Sequence, residues 1–177
     1  FNKLLQTGVF PEEWGKAIIV PIYKNGDKDN PSNYRGISLL TCISKLFTKV
    51  INCRLVNWAH ETGKMHDTQA GFTKNKGTVD HIFVLQTLVT KYLSRPRGRF
   101  YSVYVDFSKA FDTVPHLHLF YSLLNGNLHG RVICVLRNMY SKLKSCVQTE
   151  DGHLSAEFAC NVGTRQGCML SLSLHIL

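Results

Sequence analysis

The chain has 177 residues, 44% of them hydrophobic and 19% charged, enough apolar material for about one domain with its own core and too much for a disordered polymer. Lysine and arginine number 21 against 12 aspartates and glutamates, a net charge of +9, which points to a polyanionic partner or, on charge alone, to a solvated basic face. No apolar run approaches the roughly 20 residues of a membrane-spanning helix, so that class is excluded. The charge is uneven: residues 1–100 carry 15 basic and 7 acidic side chains, residues 101–177 carry 6 and 5. Six cysteines are scattered without a C-x-x-C pair, a pattern that predicts neither a disulfide framework nor a zinc site and suits a reducing, intracellular compartment, nucleus or cytoplasm. The chain opens on Phe1 and closes on Leu174-His175-Ile176-Leu177, which reads as part of something longer.

In chain order, Lys16 to Tyr23 (KAIIVPIY) is β-branched and aliphatic and predicts a strand, with Pro21 marking an edge or bulge. Lys24 to Asn33 is a polar loop. From about Ser38 to Glu61, Leu39, Ile43, Leu46, Phe47, Val50, Ile51, Leu55 and Trp58 recur at helical spacing, with Gly63 as the stop. After a loop from Lys64 to Gly77, Thr78 offers an N-cap for a helix to Tyr92. Ser94 to Arg99 is a basic connector, and Phe100 to Phe107 (FYSVYVDF) predicts a central strand holding Asp106 at its end. Pro115 to Leu124 and Gly130 to Lys142 predict helices, and Ser145–Thr149 with Ser155–Val162 a hairpin about Glu150-Asp151-Gly152. This order predicts an α+β fold.

Asp106 is the most informative residue. A carboxylate among apolar and aromatic neighbours is costly unless it has a task, and a hard cation such as magnesium is one such task; a turn or helix cap is the commoner one. His116 and His118, two residues apart, have the metal reading too, and more often such histidines decorate a helix start.

The segment Val105-Asp106-Phe107-Ser108-Lys109-Ala110-Phe111-Asp112-Thr113-Val114 resembles the first catalytic motif of the reverse transcriptases of non-LTR, LINE-type, jockey-like retrotransposons. Pro21-Ile22-Tyr23-Lys24 with Asn33-Tyr34-Arg35-Gly36-Ile37-Ser38-Leu39-Leu40 resembles the fingers motif of that family, and Gln69-Ala70-Gly71-Phe72 with Thr78-Val79-Asp80-His81-Ile82 the next. Gly163-Thr164-Arg165-Gln166-Gly167-Cys168-Met169-Leu170-Ser171 resembles the motif that contacts template and incoming nucleotide. The four stand in family order across nearly the whole chain.

The resemblance implies a partial right-hand polymerase: fingers over residues 1–99, an incomplete palm over 100–177, and truncation before the second metal-binding motif. It implies an RNA template, a DNA primer and deoxynucleoside triphosphates as partners, with two magnesium ions in the full-length parent. Asp106 is then a metal ligand and catalytic residue, helped by the Phe107 carbonyl. Lys24 and Arg35 match the triphosphate-binding positions, where a point charge and a bidentate fork suit phosphate oxygens, although both also fit as solvated loop charges. Phe111 falls where a bulky side chain under the sugar selects deoxynucleotides, or is a plain core phenylalanine. Gln166 and Gly167 match residues packed near the nascent base pair. Arg165 is a phosphate contact or a hairpin-end charge, and Lys74 and Lys76 count as nucleic-acid contacts. Thr73 and Leu172 depart from the family's usual arginine and proline, and no aromatic-x-Asp-Asp stretch occurs in the 177 residues. The alternative is a nucleic-acid-binding remnant of a decayed mobile element, without catalysis.

Overall fold

A computed structural model describes residues 1–176, with side chains to residue 174; Leu177 lies outside the described residues. The chain divides into two compact units, residues 1–64 with 109–177, and residues 65–108. The larger unit holds a mixed sheet of four strands in the order β2-β1-β3-β4, formed by β1 (Lys16–Tyr23), β2 (Tyr34–Leu40), β3 (Lys144–Val147) and β4 (Phe158–Ala159). Five helices accompany it: α1 (Asn2–Thr7), α2 (Cys42–Glu61), α4 (His116–Asn125), α5 (Arg131–Ser141) and α6 (Met169–Ile176). The smaller unit contributes α3 (Thr78–Leu93).

β1 forms over the predicted span, because its β-branched run finds partners on both edges. It pairs antiparallel with β2, with Ala17 opposite Leu40 and Tyr23 opposite Tyr34. On its other edge it runs parallel to β3, with Lys16 opposite Lys144. Pro21 lies beyond that parallel stretch, which ends at Ile19 opposite Val147, so its missing N–H interrupts nothing there.

Two readings of the first hundred residues need correction. Ser38 to Leu40 belong to β2, and the helix begins only at Cys42, where the Thr41 hydroxyl accepts from the Ser44 amide at 3.3 Å. Leu39, Ile43 and Leu46 are therefore exposed, while Phe47, Ile51 and Leu55, spaced by four, are buried. Thr78 is the first residue of α3 rather than its cap; the Asp80 carboxylate accepts from the Gly77 amide at 2.7 Å.

The larger unit's core joins that α2 stripe to Phe10, to Leu119 and Leu123 of α4, to Val135, Leu136 and Met139 of α5, and to Leu170 and Leu174 of α6. Phe10, Trp14 and Phe47 meet with ring centroids 5.9 to 6.0 Å apart, within the range where edge and tilted ring pairs attract. Leu172 continues α6 where the family's proline would stand.

The strand expected over Phe100–Phe107 is not formed. Residues 101–107 have no regular structure, and Tyr101 and Val103 are 79% and 87% exposed. Aromatic and branched residues supply the propensity, but a strand exists only by pairing. The sheet's four places are filled by other segments.

Candidate functional site

The site grows from the loop that joins β4 to α6. Gly163 donates its amide to the Val114 carbonyl at 2.8 Å, and its own carbonyl accepts from His116 Nε2 at 2.8 Å. His116 is thereby engaged with backbone, and its ring also packs on Tyr140 at 4.8 Å. Thr164 donates its amide to the Phe111 carbonyl at 2.6 Å. Gln166 accepts from the Ser38 amide at 2.7 Å, which adds the loop to the free edge of β2.

Gly167 has φ of +118°, and a Cβ there would lie 2.5 Å from the Ser38 carbonyl oxygen. Only glycine fits this approach and this torsion. Gly163 (φ +84°) is equally confined, since a Cβ would come within 2.8 Å of the Asp112 carbonyl oxygen.

These contacts frame a pocket of about 370 Å³ lined by Ile19, Gly36, Ser38, Asp112, Thr164 and Gln166, with further residues of β3 and β4. Among the described residues, three buried side-chain atoms lack a hydrogen-bond partner: Asn52 Oδ1, Arg165 Nε and Gln166 Oε1. A buried acceptor left open costs free energy, and the Gln166 oxygen, with almost no exposed surface, meets a donor only if the loop shifts.

Arg165 also lines this pocket, with its guanidinium turned to backbone. Its Nη2 donates to the Gly15 carbonyl and, at 2.7 Å, to the Lys144 carbonyl. Burial holds the guanidinium below its ordinary pKa, and neither ion pair found among the described residues includes it. The expected phosphate contact thus falls on a side chain already engaged with backbone.

The remaining expected residues lie outside this pocket's lining. Lys24 and Arg35 are exposed on the β1–β2 hairpin, whose pairing extends to the Lys24 amide and the Asn33 carbonyl at 2.9 Å. Strand alternation puts Arg35, opposite Ile22, on the face away from Gly36 and Ser38. Phe111 is half-buried and enters through its carbonyl. Lys74 and Lys76 are exposed in the smaller unit, with Lys76 Nζ donating to the Asp67 carbonyl.

Asp106 and Phe107 are exposed in the unpaired stretch of the smaller unit. Among the described residues no three His, Cys, Asp or Glu side chains gather as a metal cluster. Magnesium takes one or two carboxylates and fills its shell with water and substrate phosphate. A single carboxylate therefore suits one ion completed by substrate and does not by itself hold two.

The sequence reading passed over Ser38, Thr164, Asp112 and Gly163 as site-forming residues. The paired glycines around the loop were the available signal, since each marks a place where backbone meets backbone.

Comparison with known proteins agrees with the four motifs. Residues 22–177 match the model of the family described as reverse transcriptase (RNA-dependent DNA polymerase). The chain is 30% identical over 190 residues to the probable RNA-directed DNA polymerase from transposon X-element of Drosophila melanogaster, covering 100% of this chain and 19% of that protein. It is 32% identical over 157 residues to the corresponding protein from transposon BS of the same organism, covering 80% and 17%. With the RNA-directed DNA polymerase from mobile element jockey, also of that organism, identity is 28% over 178 residues, covering 99% and 19%. The chain spans about a fifth of the length of these curated relatives. No described helix is long and apolar enough to cross a membrane. A match that runs over residues 22–177 means that the chain belongs to the reverse transcriptase family.

Proposed function

We propose that this chain forms the fingers and part of the palm of an RNA-directed DNA polymerase of a non-LTR retrotransposon. In that reading residues 1–99 contribute the fingers and residues 100–177 the palm of a right hand. The substrates are a deoxynucleoside triphosphate and a DNA primer on an RNA template. The observation that carries it is the pocket at the β2 edge, lined by Gly36, Ser38, Asp112, Thr164 and Gln166, with Thr164 tied to the Phe111 carbonyl just outside it.

Each residue then has a task. Gln166 packs at the nascent base pair; Gly36 and Gly167 let β2 and the loop close on their neighbours, since a Cβ would meet the Ile19 side chain in one case and the Ser38 carbonyl in the other. Phe111 walls off the sugar edge. Lys24 and Arg35 meet the triphosphate, Arg35 through a bidentate fork. Asp106 and the Phe107 carbonyl would hold one magnesium ion, which would supply charge neutralisation to the triphosphate oxygens.

The test is primer extension on an RNA template by a polymerase carrying these 177 residues. D106A is expected to abolish incorporation, and Q166A to raise KM for dNTP. Incorporation by D106A at the wild-type rate would overturn the reading. A second reading is a nucleic-acid-binding remnant of a decayed mobile element, without catalysis. RNA binding with no incorporation by that polymerase would establish it.

A further inference from the structure

Three consecutive residues of the β4–α6 loop reach three separate parts of the larger unit. Thr164 holds the Phe111 carbonyl, Gln166 holds the Ser38 amide, and between them Arg165 holds Gly15 and Lys144. The last two are not arbitrary points. Gly15 immediately precedes β1 and Lys144 opens β3, and the residues at these starts, Lys16 and Lys144, face each other across the parallel pair. One guanidinium nitrogen therefore spans the start of the only parallel ladder among the described strands. Gly15 has no room for a side chain, because a Cβ would collide with the Lys142 carbonyl.

The choice of arginine has a physical reason. Two carbonyls beside one another need a planar donor that remains charged when enclosed, which a guanidinium does and an ammonium does poorly. No acidic side chain pairs with it among the described residues; the two carbonyls and a hydrogen bond with the Cys160 side chain offset part of the cost of burying it, and Nε is left without a partner. Arg165 is thus bound into the sheet, and the residue after it carries the buried open acceptor of the pocket.

We infer that Arg165 is a positioning residue: its clasp on Gly15 and Lys144 sets the orientation of the Gly163–Gly167 loop and so aims Gln166 into the pocket. This rests on the pocket being the base-pair site. Arg165 acts on the nucleotide through Gln166 and does not touch phosphate.

The test has two arms. In the 177-residue chain, amide exchange of Ser38 is followed by NMR in wild type, R165Q and R165K, with the α2 and α5 core amides as internal reference. The clasp predicts that R165Q speeds Ser38 exchange at least tenfold relative to those core amides. R165K, which can reach one carbonyl but not grip both, falls between the two. Ser38 exchange that stays level, or rises only in step with the core, overturns the proposal; R165K supplies that comparison if R165Q does not fold.

In the second arm a polymerase carrying this chain is assayed at matched folded fraction. R165Q should raise KM for dNTP and misinsertion several-fold while the salt slope of RNA binding stays unchanged. A phosphate contact on single-stranded RNA would instead lower that slope by roughly 0.7 and leave Ser38 exchange untouched, which would also overturn the proposal. Q166A separates the two readings: wild-type nucleotide use in Q166A, with fast Ser38 exchange in R165Q, removes the pocket's assignment and leaves the clasp without its proposed purpose.

Discussion

The amide of Thr164 donates to the carbonyl of Phe111 at 2.6 Å, and the Thr164 hydroxyl approaches the same oxygen at 3.4 Å. Two segments about fifty residues apart are thereby joined at one backbone atom, and the Phe111 backbone is braced independently of its ring. F111A consequently removes the ring with its anchoring carbonyl in place. In a polymerase carrying this chain, the ratio of kcat/KM for dNTP over rNTP should fall, because a rigid wall that rejects a 2′-hydroxyl has been removed. If Phe111 only fills space, both nucleotide classes lose together and the ratio stays constant.

Gly167→Ala tests the closest backbone approach in the site. The new methyl would meet the Ser38 carbonyl oxygen and the torsion of +118° is strained for alanine. A destabilisation of about 1–3 kcal/mol is expected in urea unfolding, with faster exchange of the Ser38 amide. An unchanged midpoint would mean that the loop shifts freely.

Lys74 is exposed in a loop of the smaller unit. As a phosphate contact on single-stranded RNA, K74Q should reduce the slope of log K against log salt by roughly 0.7. Lys76 donates to the Asp67 carbonyl, so K76Q should disturb the loop as well as the charge. A slope identical to wild type in K74Q would remove this residue from the interface.

Tyr140 is buried, and burial pushes its phenol above the ordinary range, with the charge of Cys168 adding and a hydrogen bond with Ser171 opposing. The folded state therefore keeps this proton at a pH where the unfolded chain has lost it. Stability from the neutral phenol is complete below about pH 10 and declines as pH rises above that unfolded value. Y140F should flatten this alkaline loss in unfolding curves recorded from pH 8 to 11. The same steep decline in Y140F would assign it to other groups.

Legibility differed between elements for definable reasons. β1 was legible because Ile18, Ile19 and Val20 are branched and its flanks are polar. The start of α2 was misplaced because Leu39 falls in phase with Phe47 and its neighbours although it lies in β2; periodicity does not see an N-cap such as Thr41. Asp106 was recognisable by motif, yet the strand around it depended on pairing that local sequence does not encode. Gln166 was singled out by motif too. The inward turn of Arg165 was not, since a loop arginine next to it carries no local sign that two carbonyls await it.

The parallel ladder of β1 with β3 also has a consequence in time. β2 follows β1 closely, but about one hundred residues separate Leu40 from Lys144. At about 5–20 residues per second of synthesis, β1 waits roughly 5–20 s for its second neighbour. Throughout that interval the edge from Lys16 to Ile19 presents unpaired N–H and C=O groups along an aliphatic run, a surface on which nascent chains adhere to one another. Charge lies only at its ends, Glu12, Glu13 and Lys16 before the run and Lys24 after it. The birth of the protein on the ribosome, more than its finished state, is where overcrowding would harm it.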